Sequence, residues 1–411
     1  MRWNHLPIEL VHLIISNSSL RHHDLASLAR VDRCLAEIVP QYLYRDVLFI
    51  SANPSHESEC FCLKCLAKFN RSITRNPGLA GLTRSIAIRI YVEDDDAADC
   101  IWGVLAKLYA LEKLVLSTAT EDKMYLVLQR NLLSRLRCAE IYGGFANLAV
   151  AAAYMHLPAM EYLTVEGRCV PLRGRHRPAV TRLPPTMERQ TSLKKLTLRV
   201  PSEASSILPR ILSCCPKLTT FAFSIKSRVN VLLERILLSN ALSYCQETLT
   251  TLELNCEYGE YFECRPIVLR QLKSLRALKI DIIFLFSDDE RDEPVLRNDI
   301  HKWLPSSLED LEILFQHIYR AFETAAPLAA DDAPPSSSPT YRPEYLNWLL
   351  QIAMNKEAHL PNLLHVLIRE GNGASPSPYN ASDLPAEIEV PFREAGIDVE
   401  LFLLPSDSRP F

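Results

Sequence analysis

A six-residue pattern with apolar side chains at positions one, four and six recurs along this chain and restricts its fold more than any other feature. It reads Leu111-Glu-Lys-Leu114-Val-Leu116, Leu136-Arg-Cys-Ala139-Glu-Ile141, Met160-Glu-Tyr-Leu163-Thr-Val165 and Leu193-Lys-Lys-Leu196-Thr-Leu198. It continues as Leu218-Thr-Thr-Phe221-Ala-Phe223, Leu249-Thr-Thr-Leu252-Glu-Leu254, Leu275-Arg-Ala-Leu278-Lys-Ile280 and Leu308-Glu-Asp-Leu311-Glu-Ile313. Leu363-Leu-His-Val366-Leu-Ile368 closes the series less regularly, and Ile86, Ile88 and Ile90 mark an opening strand. Successive starts lie 24 to 33 residues apart until the last, longer interval. Alternation inside the motif is the period of a strand with one buried face. Helical spacing fills the gaps, at residues 101–109, 123–136, 204–214 and 229–241.

One strand and one helix per repeat of this length is the pattern of a leucine-rich-repeat solenoid. The expected fold is α/β, with parallel strands on a concave face and helices outside. A single unit cannot cover its own apolar face, so the units must stack. An ordinary α/β domain with parallel strands shares the alternation. The array is expected over residues 82–324. Residues 325–343, rich in Ala, Pro, Ser and Asp, read as a disordered linker that explains the long last interval. A terminal repeat or cap with a tail follows at 344–411. Within these bounds, 168–182 is a basic, proline-containing insertion, 287–293 an acidic one, and 371–398 a loose stretch.

Composition narrows the function. With 48% apolar and 23% charged residues the chain is globular rather than disordered. A net charge of −4 supplies no field for nucleic acid or an acidic membrane surface, so neither is expected as a partner. Only 11 glycines occur, and no cluster of them could form a phosphate-cradling loop. No P-loop, zinc-protease helix motif or Ser/His/Asp set stands out. No uncharged apolar run reaches about 18 residues, as a membrane span needs. Pro7, Glu9 and His12 interrupt the first apolar stretch, against a secretory signal. The 12 cysteines then read as reduced thiols of a cytoplasmic or nuclear protein.

The first 50 residues differ in pattern. Leu6, Ile8, Leu10, Val11 and Leu13 to Ile15 have helical spacing, with Pro7 and Glu9 where a first turn tolerates them. Asp24 is placed to cap a second helix carrying Leu25, Leu28, Ala29 and Val31, and a third piece over 35–39 ends at Pro40. This segment resembles an F-box. The matching residues are Leu6, Pro7, Glu9, Leu10, Ile14, Asp24, Leu25, Leu28, Val31 and Leu35, then Pro40 and Leu43-Tyr44-Arg45; Leu20 follows Ser18 and Ser19 in place of an earlier apolar residue. The resemblance implies binding to a Skp-type adaptor and, through it, to the cullin and RING subunits of a ubiquitin ligase. Leu6, Pro7, Glu9, Leu10, Ile14, Leu20, Asp24, Leu25, Leu28 and Val31 would form the adaptor surface. An F-box, a helical connector over 51–81 and then repeats is the order found in divergent F-box proteins of filamentous fungi. In those proteins the repeats hold a protein substrate, and no catalytic residue or cofactor is expected. A scaffold that binds the adaptor without ubiquitination, or a plain helical cap on the repeats, would share these features.

Other candidate sites are weaker. His56, Cys60, Cys62 and Cys65 could satisfy tetrahedral zinc, but Cys62, Cys65, Leu66 and Phe69 also share one helical face; a packed helix without metal is expected. His22 and His23 stand beside Asp24, whose expected role is the helix cap. The basic run Arg168, Arg173, Arg175, His176, Arg177 and Arg182 could grip a phosphate or acidic peptide, or be a solvated loop. On the concave strand face, Tyr142 and Tyr162 are expected side by side as anchors for the substrate. Glu253, Asp281, Asp310 and Glu312 would form an acidic strip favouring a basic partner segment.

Overall fold

The computed structural model describes residues 6–17, 20–50, 56–90, 95–117, 133–142, 148–167, 191–200, 208–225, 235–256, 267–287, 290, 296–315, 321, 343–371, 380–381 and 386–403. The chain divides into two units, Met1–Leu193 and Lys194–Phe411.

The first unit opens with four helices: α1 (Ile8–Asn17), α2 (His22–Val31), α3 (Arg33–Ile38) and α4 (Pro40–Leu43). Val11, Ile15, Leu25, Leu35, Ile38 and Val39 form their shared core. Local chemistry sets the breaks. The Asp32 carboxylate accepts from the Cys34 amide at 2.7 Å and caps α3. Pro40, which lacks an amide hydrogen, stands at the first position of α4. Asp24 is not the cap of α2 but its third residue, where it accepts from the Arg21 amide at 2.9 Å. That half of a capping box still satisfies an orphan N–H. Tyr42 ties α4 to α1 through His12, 2.7 Å from its Nδ1.

Strand pairing begins earlier than the motif indicated. β1 (Asp46–Ile50) lies inside the segment read as purely helical, and it pairs in parallel with β2 (Ser85–Arg89). Tyr44 and Phe49 meet Phe69 of α5 (His56–Arg75), which covers β1. α6 (Pro77–Leu82) leads into β2, and α7 (Asp95–Leu105) follows it. β3 (Lys113–Ser117), β4 (Cys138–Tyr142), α8 (Leu148–Met155) and β5 (Tyr162–Glu166) complete the unit, each strand parallel to the one before. α7 starts well before the helix expected at 101–109, and most of the helix expected at 123–136 lies outside the described residues.

The second unit repeats the scheme. It contains β6 (Lys195–Val200), α9 (Leu208–Ser213), β7 (Thr220–Ile225), α10 (Arg235–Ser243), β8 (Thr251–Cys256), β9 (Ala277–Asp281), α11 (Ile300–Trp303) and β10 (Asp310–Phe315). Next come α12 (Pro343–Met354), α13 (Lys356–His359), β11 (His365–Glu370), the two-residue β12 (Asn380–Ala381), α14 (Ala386–Glu394) and β13 (Asp398–Leu403). β6 to β11 and β13 pair in parallel; β12 is antiparallel to β13. α14 corrects the loose reading of 371–398: Ile388 and Phe392, four apart, bury one face despite Pro391 in the helix.

The motif positions behave as their period requires. Leu114 and Leu116, Leu196 and Leu198, Leu252 and Leu254, and Val366 and Ile368 are all buried. Parallel strands with helices between them, repeated in both units, are consistent with stacked repeats of the leucine-rich type. Residues 168–190 and 322–342, which contain the basic run and most of the expected linker, lie outside the described residues.

Candidate functional site

Two surfaces collect the residues singled out from the sequence. The first is α1 with its neighbours. One face of this helix enters the core through Val11 and Ile15, while Ile8, Leu10, Leu13 and Ile14 remain 44 to 54% exposed. Val31, the last residue of α2, is 68% exposed, and Pro7 and Glu9 are exposed too. A helix apolar on both sides has been given more apolar surface than its own core uses. Leu6, Leu20 and Leu28 are partly buried against the helical core, and Leu25 is inside it. Leu25 is therefore a packing residue rather than a surface anchor. Asp24, the third residue of α2, accepts from the Arg21 amide and lies 2.9 Å from the exposed His23. Ile8 and Leu13 were missed by the motif reading; Leu13 beside Leu10 and Ile14 follows directly from helical spacing.

The second surface is the outward face of the strands. In the first unit, register separates the two tyrosines expected to be neighbours. Tyr142 lies opposite Glu166, and Tyr162 lies opposite Cys138. They therefore stand at opposite ends of adjacent strands, about 13 Å apart along the strand direction. Each has its own surroundings. The Arg89 guanidinium sits 5.5 Å over the Tyr142 ring, and the Tyr142 hydroxyl donates to Glu140 at 2.9 Å. Burial first, and that hydrogen bond second, push the Tyr142 phenol above its ordinary value, so it remains a neutral donor. Lys113 pairs with the same Glu140 at 3.5 Å. Tyr162 is 43% exposed.

In the second unit one member of the expected acidic strip, Glu312, is neutralised by neighbouring cations. Glu312 lies 3.3 Å from Lys279 and 3.6 Å from Arg369, and Glu253 is the register neighbour of Lys279. Asp281 is corrected outright: it is 1% exposed, and its carboxylate accepts from the Ile283 amide at 3.1 Å. It caps a short turn over Ile282–Phe284 instead of facing a partner. Period-two counting fails there because Asp281 ends the strand and engages the turn that follows at once. Asp310 is exposed beside His365.

Of the cysteine cluster, Cys62 is buried and Cys65 partly buried on α5, whereas the side chains of His56 and Cys60 lie outside the described residues. Cys245 is buried and its thiol is pushed up to about 12 by desolvation, which keeps it protonated and inert. Among the described residues, no helix is long and apolar enough to cross a membrane. No protein-family model matches this chain, and no curated protein is similar to it.

Proposed function

We propose that this protein is a substrate-recruiting subunit of an SCF-type ubiquitin ligase, with α1 and α2 forming an F-box and the strand face holding the substrate. The observation that carries the reading is the second apolar face of α1: Leu10, Leu13 and Ile14 exposed beside a core already closed by Val11 and Ile15. An amphipathic helix laid into a partner groove supplies such a face, and residues in and around α1 match the F-box order from Leu6 to Val31. The reaction itself would belong to the conjugating enzyme carried by the complex. This chain would contribute two binding surfaces and no catalytic group.

The test is affinity purification of full-length protein in the presence of a proteasome inhibitor. Adaptor and cullin should co-purify, together with ubiquitinated partner. Leu10→Glu with Ile14→Glu should remove the adaptor, since charges in a desolvated apolar interface cost well over 2 kcal/mol of binding, about thirtyfold or more. Both side chains are exposed, so the fold should survive. Adaptor recovered at wild-type level from the double variant would exclude the F-box reading. Adaptor recovered without any ubiquitinated partner would favour the non-degradative scaffold.

A further inference from the structure

We propose that His365, Asp398 and Glu400 form a divalent transition-metal site that pins the last long strand of the second unit. Each of the three offers a ligand atom, and these atoms all lie within 4.8 Å of one another. The strands place them together by register. His365 opens β11 directly opposite Asp398 of β13, and Glu400, two residues on, shares the face of Asp398. The His365 Nε2 is 3.7 Å from the Glu400 carboxylate.

Charge around this imidazole is one-sided. Asp310 is its register neighbour on β10 and Asp398 its neighbour on β13, with Glu400 beyond, so carboxylates flank it on both strands. The nearby cations are engaged elsewhere: Lys279 and Arg369 both reach Glu312, and Arg369 also lies 5.4 Å over the Phe402 ring. Asp398 and Glu400, two residues apart on one face of β13, repel each other, and a bound cation removes that cost. The donor set selects its kind. Calcium and magnesium take all-oxygen shells, whereas an imidazole with carboxylates suits zinc and its neighbours in the transition series. Zinc bonds of about 2.0–2.2 Å need donors roughly 3.4 Å apart, within reach of small rotations of exposed carboxylates, with water completing the shell.

The location gives binding a consequence. Among the described residues, β13 pairs with β11 on one side and with the two-residue β12 on the other. A cation shared between β11 and β13 would fasten a strand that otherwise rests on one full ladder among the described residues.

The experiment titrates zinc into metal-free, full-length protein, and repeats this with His365→Ala and with the Asp398→Asn, Glu400→Gln double variant. Wild type should bind zinc and unfold at a higher temperature in its presence, while an equal concentration of magnesium leaves the midpoint unchanged. Either variant should lose at least about tenfold in affinity for one zinc equivalent, with unaltered circular dichroism. Comparing variants with wild type separates this site from zinc taken up by cysteine thiols. No zinc binding by wild type, equal binding in all three proteins, or a matching shift with magnesium would each overturn the proposal.

Discussion

β4 in the first unit buries Ala139 and Ile141, and β8 in the second buries Leu252 and Leu254, at equivalent motif positions. Their flanking residues have little in common. Where strands of the first unit begin, Arg84 pairs with Glu112 at 3.4 Å and Arg137 with Glu161 at 2.9 Å, an alternating ladder of charge. At the same place in β7 and β8 of the second unit, the hydroxyls of Thr219 and Thr250 each donate 3.0 Å to the backbone carbonyl of the preceding repeat, before Arg276 and Glu309, 3.5 Å apart, resume the ion pairing. The outward faces diverge as well, toward Tyr142, Tyr162 and Arg89 in one unit and toward cancelling Lys279, Glu312 and Arg369 in the other. Inward positions are constrained by close packing against neighbours, so they vary only among apolar residues. Outward positions meet water, which tolerates most side chains, and are free to carry recognition.

That contrast is broken most severely by exchanging the two kinds of position within one strand. Leu252→Ala should destabilise the protein by about 2–5 kcal/mol through lost burial and a cavity, whereas Glu253→Ala next to it should change stability by no more than about 0.5 kcal/mol. Urea unfolding of both variants measures the difference, and comparable losses would mean the two faces are not distinct.

Recognition sharpens it next. Once a partner is captured, Tyr142→Ala with Tyr162→Ala should weaken binding by more than about 2 kcal/mol in a titration. Because register holds the tyrosines well apart, the single variants should sum to the double within about 0.5 kcal/mol. Unchanged affinity would move the binding site off this face.

A third difference is confined to the second unit. His301 of α11 is buried, its ring centroid lies 4.9 Å from that of His359 on α13, and its Nδ1 has no hydrogen-bond partner among the described residues. Burial first, and the His359 charge second, lower its pKa; Asp299 opposes this and Lys302 adds to it. An imidazole depressed in the folded state binds its proton more readily when unfolded. Stability is therefore full above the ordinary imidazole range, falls as pH drops through that range, and levels off below the folded-state value. Thermal melts at pH 7.5, 6 and 5 should show this fall, and His301→Gln should flatten it. An unchanged slope in the variant would remove His301 as its origin. Smallest is Glu312→Gln, which should cost roughly 0.2–1 kcal/mol, since both its ion pairs are partly exposed.

The sequence alone determined the strands of the repeating motif and the burial of the motif's own apolar positions. Both follow from the spacing of Leu, Ile, Val and Phe, a local property set by the hydrophobic effect. The exposed face of α1 was read in part: Leu10 and Ile14 were placed on it, whereas Ile8 and Leu13 were missed. Only the tertiary structure decided the rest. Inter-strand register placed Tyr142 opposite Glu166 rather than beside Tyr162, and brought His365 to Asp398, 33 positions further along the chain. The turn directly after β9 took Asp281 as its buried cap, and pairing with β2 drew β1 out of the helical segment. Periodicity fixes the direction of a side chain within its own element. Its neighbours depend on how strands align and where loops return, and those are set by contacts between residues far apart in the chain.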